Sequence, residues 1–279
     1  MRWALTTAAL LLALVLVCVD WRGGKTTPIN VIGSTSIQPF AEMLAEEFNK
    51  RPTNNLQQNW TVDVQGGGST AGLQAAVNGM ADIGMCSREL KKTPEEAGTF
   101  TPIVIARDGL AIVVHPSNPL NGVTKSQIQK MFEGQITNWK ELGGRDQPVR
   151  LITREEGSGT REAFQKLVMG KSRISRKALT QESNGSVKEL VKHDPAAVGY
   201  MSLGLVGAEL KALTVDGAPA TAAEVVANRY PLIRPFLFVT KGPPSDKAKL
   251  FIDYVLSPPG QQMLEKEGLI GAPNKLEQP

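Results

Sequence analysis

Short apolar runs alternate with helical stripes along this chain, and one kind of turn keeps returning between them. Residues 29–32, Ile-Asn-Val-Ile, read as a strand that runs into Gly33-Ser34-Thr35-Ser36. Ile37, Phe40, Ala41, Leu44 and Phe48 then fall on one face of a helix. Pro39 sits in its first turn, where proline costs little. Residues 61–64 alternate like a strand and lead into Gly66-Gly67-Gly68-Ser69-Thr70, after which Leu73, Ala76, Val77 and Met80 make a second stripe. The strand-like residues 149–152 precede Thr153-Arg154-Glu155-Glu156-Gly157-Ser158-Gly159-Thr160-Arg161, and Ala163, Phe164, Leu167 and Val168 follow at helical spacing.

A strand that ends in Gly, Ser and Thr just before a helix has a chemical meaning. The first amides of a helix lack intrahelical partners and carry partial positive charge, so an oxyanion fits there. Glycine lets the backbone turn tightly and come close to a ligand. Ser158 or Thr160 is a natural N-cap, and Arg154 can add a fixed charge with paired donors. A plain capped helix with a surface arginine accounts equally well for one such turn. Three of them in one chain favour the anion reading.

The rest of the pattern reads as α/β. Residues 83–86, Ile-Gly-Met-Cys, are compact and apolar, as in a buried parallel strand. Ser87, Arg88 and Glu89 lie just past its end, where open α/β sheets place their ligands, so Arg88 is a second cationic candidate beside the alternative of a solvated loop. Residues 101–106 and 109–115 read as two strands, the second crossing between lobes, and residues 234–239 as the return crossing. Helices are expected over 126–132, 187–192, 248–255 and 261–266, and a strand over 197–201. Trp139 reads as packing.

Composition narrows the function classes. The 279 residues are 41% hydrophobic and 21% charged, which suits a globular chain of one large or two modest domains. A net charge of +4 without a dense basic block interleaved with aromatics gives no reason to expect nucleic acid. After Met1-Arg2-Trp3 an apolar run over residues 4–19 has the place and length of an export signal or signal anchor, so residues 1–25 are set apart from the fold. Cys18 stands at the position of a lipoprotein cysteine, although Val15-Leu16-Val17 lacks the small residue such a site carries. Cys86 then reads as a buried unpaired thiol. The two cysteines, with His115 and His193, match no zinc spacing, and neither a metal nor a cofactor is expected.

Seven motifs follow in order: Gly33-Ser34-Thr35-Ser36; Gly67-Gly68-Ser69-Thr70-Ala71-Gly72; Ala81-Asp82-Ile83-Gly84; Ile136-Thr137-Asn138-Trp139; Gly157-Ser158-Gly159-Thr160; Ala197-Val198-Gly199-Tyr200; and Ser257-Pro258-Pro259-Gly260-Gln261. In this order they resemble the periplasmic phosphate-binding proteins of bacterial phosphate ABC importers, over nearly all of the chain after residue 28. The resemblance implies a type II periplasmic-binding fold: two α/β lobes joined by two crossover strands, with the ligand in the cleft. It puts residues 26–111 and 238–279 in lobe 1 and 112–237 in lobe 2. It implies that Thr35, Ser36, Ser69, Ser87, Arg154, Ser158, Gly159 and Thr160 contact phosphate, with Ser34, Arg88 and Glu156 as further candidates. It also implies a monomer that acts in the periplasm or on the outer face of the cytoplasmic membrane, touches the membrane only through an N-terminal anchor if one is retained, and delivers phosphate to importer membrane subunits.

One position departs from that pattern. Some members of the family carry an aspartate after the third strand, where it accepts the proton of hydrogen phosphate. Ser87 stands there in this chain, so Ser87, Glu89 or Glu156 is left to take the proton. A cleft of this kind holding sulfate, molybdate or tungstate, or serving a sensor, is the alternative. An enzyme acting on phosphoryl groups is not expected: the chain has no phosphate-loop Gly-x4-Gly-Lys-Ser/Thr, no Gly-x-Ser-x-Gly elbow and no histidine beside the serine-rich turns.

Overall fold

The computed structural model describes residues 26–51 and 59–272. The expected export segment, with Cys18, lies outside them, as does the tail after residue 272.

The strands are β1 (Thr26–Gly33), β2 (Asn59–Gln65), β3 (Ile83–Cys86), β4 (Phe100–Val114), β5 (Gly122–Val123), β6 (Arg150–Arg154), β7 (Leu179–Gln181), β8 (Ala197–Ser202), β9 (Lys211–Ala212), β10 (Thr214–Val215), β11 (Ile233–Lys241) and β12 (Ile270–Gly271). The main sheet runs β2-β1-β3-β11-β4-β8-β6-β7. β1 pairs in parallel with β2 and β3, and β6 pairs in parallel with β7 and β8. Between these parallel halves, β11 and β4 run antiparallel to their neighbours. The strands therefore point their carboxyl ends, and the loops that follow, toward one cleft, as expected of a type II periplasmic-binding fold.

Each lobe has its own core. In the first, Ile29, Val31, Phe40 and Leu44 pack with Met85, Phe236, Phe238 and Phe251. In the second, Leu110, Ile112 and Phe132 pack with Trp139, Phe164 and Tyr200. The Phe164 and Tyr200 rings stack with centroids 4.0 Å apart. Buried Trp139 donates from Nε1 to the Ala196 carbonyl at 2.9 Å, consistent with a packing role. The first core holds residues up to Ala106 and resumes at Phe236, and the second holds Leu110 to Leu232 together with Ile270.

Two local expectations are corrected. The strands read over 101–106 and 109–115 are one strand of 15 residues, β4. Arg107-Asp108 does not break it, because Asp108 is buried and lies in register with Arg234 on β11. The helix after Ser158 is α-helical only over Gly159–Phe164 and then widens into a π turn, Gln165–Met169. Val168 and Met169 are buried, while Leu167 is only partly so.

Candidate functional site

The loop after β1 starts at Gly33, whose φ of 144° suits glycine, and where an added Cβ would strike the Met85 carbonyl. Ser34 N–H donates to that carbonyl at 3.0 Å, and Ser34 Oγ accepts from Ser36 N–H at 3.2 Å. Ser34 thus builds the turn, and the turn sets Thr35 and Ser36 ahead of the helix Gln38–Asn49. The glycine run does similar work after β2. Gly68, at φ 91°, is the N-cap of the helix Ser69–Val77, and its N–H donates to the Gly33 carbonyl at 2.9 Å. Ser69 Oγ accepts from Ser87 N–H at 3.1 Å, so the ends of β2 and β3 meet there.

The second lobe answers with β6. Tyr200 Oη lies 2.7 Å from Thr153 Oγ1 and accepts from Arg154 N–H at 3.3 Å, fixing the strand end. Ser158 is the N-cap of its helix, its Oγ accepting from Arg161 N–H at 3.3 Å. Thr70 N–H reaches across to the Gly157 carbonyl at 3.0 Å. At Gly159 a Cβ would collide with Ser69 Oγ and would lie 2.7 Å from Ser87 Oγ. The two lobes meet tightly at this point.

Arg154 is almost wholly buried. Its Nε and Nη2 each donate to Glu155 at 2.9 Å, a paired charge-assisted contact, and Nη2 also reaches Thr35 Oγ1 at 3.2 Å. Its Nη1 is buried without a hydrogen-bond partner. Ser36 Oγ and Thr160 Oγ1, from opposite lobes, are 2.7 Å apart.

Thr35, Ser36, Ser69, Ser87, Arg154, Gly159 and Thr160 are thereby brought together where the lobes face each other, with Ser158 buried beside them and turned onto its own helix. Arg88 is engaged elsewhere. Nη1 and Nη2 grip Glu96 at 2.8 and 2.9 Å, and Nε lies 3.1 Å from Glu162 of the other lobe. It acts as a latch outside the hydroxyl cluster. Glu156 is exposed, and Glu89 is exposed and ion-paired with Lys166. Of the residues named for the proton, only Ser87 is buried within the cluster.

Four buried residues here were not singled out from the sequence: Asp108, Asn184, Ser202 and Arg234. Arg234 Nη1 donates to Thr160 Oγ1 at 2.8 Å and Nη2 to Ser36 Oγ at 3.1 Å, while Asp108 and Ser202 lie behind it. Charged residues inside the two mostly apolar crossing strands, Asp108 beside Arg107 in one and Arg234 in the other, were the available signal, since charged residues are rarely buried unless paired. Burial pushes the Asp108 carboxyl up and the Arg234 guanidinium down, and each group's charge opposes the shift of the other. Burial also pushes the Cys86 thiol up.

The arrangement is rich in hydrogen-bond donors: hydroxyls from both lobes, a guanidinium with a spare N–H, and helix starts. It suits a small desolvated oxyanion. Residues 22–259 match the model of the PBP superfamily domain. The chain is 32% identical over 232 residues to the phosphate-binding protein PstS of Bacillus subtilis, covering 82% of this chain and 75% of that one. A substrate-binding protein from Clostridium perfringens, solved with bound phosphate, is 38% identical with a TM-score of 0.83, over 88% of this chain and 100% of that one. An ABC-type phosphate transport receptor from Vibrio cholerae is likewise 38% identical, with a TM-score of 0.72 over the same shares.

Proposed function

The chain belongs to the PBP superfamily, among its phosphate-binding proteins, and from that footing we propose that it binds inorganic phosphate in the cleft between its lobes and delivers it to an ABC importer. The observation that carries this reading is the meeting of Ser36 and Thr160 across the cleft, 2.7 Å apart, beside buried Arg154. Thr35, Ser69, Thr160 and the Gly159 amide donate to the phosphate oxygens, with Ser36 acting through Thr160 and Ser158 with its helix start beside them. Arg154 supplies charge, its Nη1 being a buried donor without a partner among the described residues. Ser87 accepts the phosphate proton. Closure removes the ion from water and strengthens each charge-assisted bond. The lobes swing on β4 and β11, with lobe 1 formed by residues 26–111 and 238–279 and lobe 2 by 112–237.

The protein works outside the cytoplasmic membrane as a monomer, held there, if at all, by its N-terminal segment. It binds without catalysis, in keeping with the phosphate-binding proteins it resembles.

One observation favours a second reading, a broader oxyanion site. Glu89 and Glu156 are exposed, Glu155 is held by Arg154, and the buried carboxylate Asp108 is taken up by Arg234 and Ser202, so among the described residues no unpaired carboxylate is left in the cluster to repel sulfate. Calorimetric titration with phosphate, repeated in excess sulfate, tests both readings. Saturable phosphate binding supports the first. Equal competition by sulfate would replace phosphate specificity with general oxyanion binding.

A further inference from the structure

Each strand that crosses between the lobes carries one charge into the interior, Asp108 on β4 and Arg234 on β11, and the two are register partners. Stability alone does not explain such a pair, because a buried ion pair roughly breaks even against apolar residues of the same volume. Its hydrogen bonds suggest another role. Arg234 uses all five N–H groups. Nε and Nη2 hold Asp108 at 3.0 and 2.9 Å, and Nη2 also reaches Ser36 Oγ at 3.1 Å. Nη1 reaches Thr160 Oγ1 at 2.8 Å and the Ser87 carbonyl at 3.2 Å.

A hydroxyl has one proton to give and two lone pairs to accept with. Ser36 Oγ accepts from Asn184 Nδ2 at 2.9 Å and from Arg234 Nη2 at 3.1 Å, so both lone pairs are occupied. Its proton can only be donated, here to Thr160 Oγ1 at 2.7 Å. Thr160 Oγ1, accepting from Ser36 and from Arg234 Nη1, is a donor for the same reason. Thr35 Oγ1 lies 3.2 Å from Arg154 Nη2 and 3.3 Å from Asn184 Nδ2, but Nη2 has two protons for three acceptors, Thr35 Oγ1, Glu155 Oε1 and the Glu182 carbonyl, so Thr35 is not fixed in the same way. The orienting groups are themselves held. Asn184 Oδ1 accepts from Ser202 N–H at 3.2 Å, and Asp108 Oδ1 accepts from Ser202 Oγ at 2.9 Å.

We propose that Arg234 and Asn184 are positioning residues that fix Ser36 as the donor to Thr160 and Thr160 as a hydroxyl donor toward the bound oxyanion, with Asp108 holding Arg234 in place. The inference rests on the reading of the cleft as a phosphate site. Thr160, its polarity settled through Ser36, meets the anion without first reorienting. Its proton also faces a proton-free oxygen rather than a P–OH group, which leaves Ser87 to meet the proton.

Lysine at 234 keeps the charge that balances Asp108 but cannot reach two hydroxyls with a fixed fork. Phosphate is titrated calorimetrically into the full chain and into Arg234→Lys, each with and without the pair Ser36→Ala/Thr160→Val. Arg234→Lys is expected to weaken binding about 10- to 30-fold in the wild-type background and less than about 3-fold where both hydroxyls are gone, because coupled residues are non-additive. The same factor in both backgrounds, or no loss in the first, overturns the orienting role. Asn184→Ala, in the wild-type and Ser36→Ala backgrounds, asks the same question through the other lone pair and decides it if Arg234→Lys does not fold. A wild-type chain that binds no phosphate strikes the reading of the cleft itself. A binding wild type with equal factors strikes the orienting role alone.

Discussion

Gly159 packs so closely against Ser69 that no Cβ fits between them, although one residue opens a helix of the second lobe and the other a helix of the first. Gly159 has no need of a left-handed backbone, so its lack of a side chain serves the approach of the lobes. Gly159→Ala should therefore act on closure. Overpacking commonly costs about 1–3 kcal/mol, and charged to the closed state alone this weakens phosphate binding by about 5- to 150-fold. The melting temperature without phosphate should hardly move. Calorimetry and thermal melting together check it, and wild-type affinity would mean that the lobes do not need this contact.

Arg154→Ala and Ser158→Ala should each weaken phosphate binding. A hydrogen bond to a charged partner is commonly worth about 1.5–3 kcal/mol, or roughly 10- to 150-fold in affinity. Arg154→Ala should be the worse of the two, since it removes the donor to Thr35 and leaves Glu155 without its partner. Ser158→Ala also removes the cap of its helix, so its melting temperature should fall slightly as well.

Selectivity should turn on residue 87. With a neutral serine there, rejection of sulfate rests on one lost hydrogen bond instead of on charge repulsion. Ser87→Asp should widen the phosphate-over-sulfate preference, and Glu156→Gln should leave it unchanged because Glu156 is exposed. Competition titrations at pH 7 read both. A preference that collapses in Glu156→Gln would move the proton acceptor to that residue.

The latch outside the cleft should show in acid. Burial raises the Glu96 carboxyl, but its hydrogen bonds with Arg88 and the Lys91 amide outweigh that and hold it below its ordinary 4.5. A carboxylate with a lowered folded-state pKa contributes stability above its unfolded value and loses it as the pH falls through the folded one. The wild type should therefore lose stability below about pH 4.5 more steeply than Glu96→Gln. Melting temperatures between pH 7 and pH 3 measure this, and parallel curves would exclude Glu96 as a source of acid sensitivity.

What the sequence could reveal was the local chemistry. Gly33, Gly68 and Ser158 mark turns and caps whose reasons lie within a few residues of each, and the resemblance carried by those turns is what put Thr35, Ser36, Ser69 and Thr160 forward. The Asp108–Arg234 pair joins residues 126 apart, and Asn184 reaches Ser36 across 148. Only strand register and lobe closure bring these groups together, so in the sequence Arg107-Asp108 falls between the two expected strands and Asn184 ahead of the helix expected over 187–192. Arg88 misled for the matching reason: it stands past a strand end, as a ligand residue would, but its carboxylate partners come from Glu96 and from Glu162 in the other lobe.

The central claim is that this cleft takes phosphate as its ligand, and one calorimetric titration addresses it directly. Phosphate is titrated into the purified full chain at pH 7, first alone and then in excess sulfate. The account predicts saturable binding of one phosphate per chain that sulfate weakens far less than an equal excess of phosphate would. No heat of binding and no stabilisation by phosphate, or displacement by sulfate on equal terms, would contradict it.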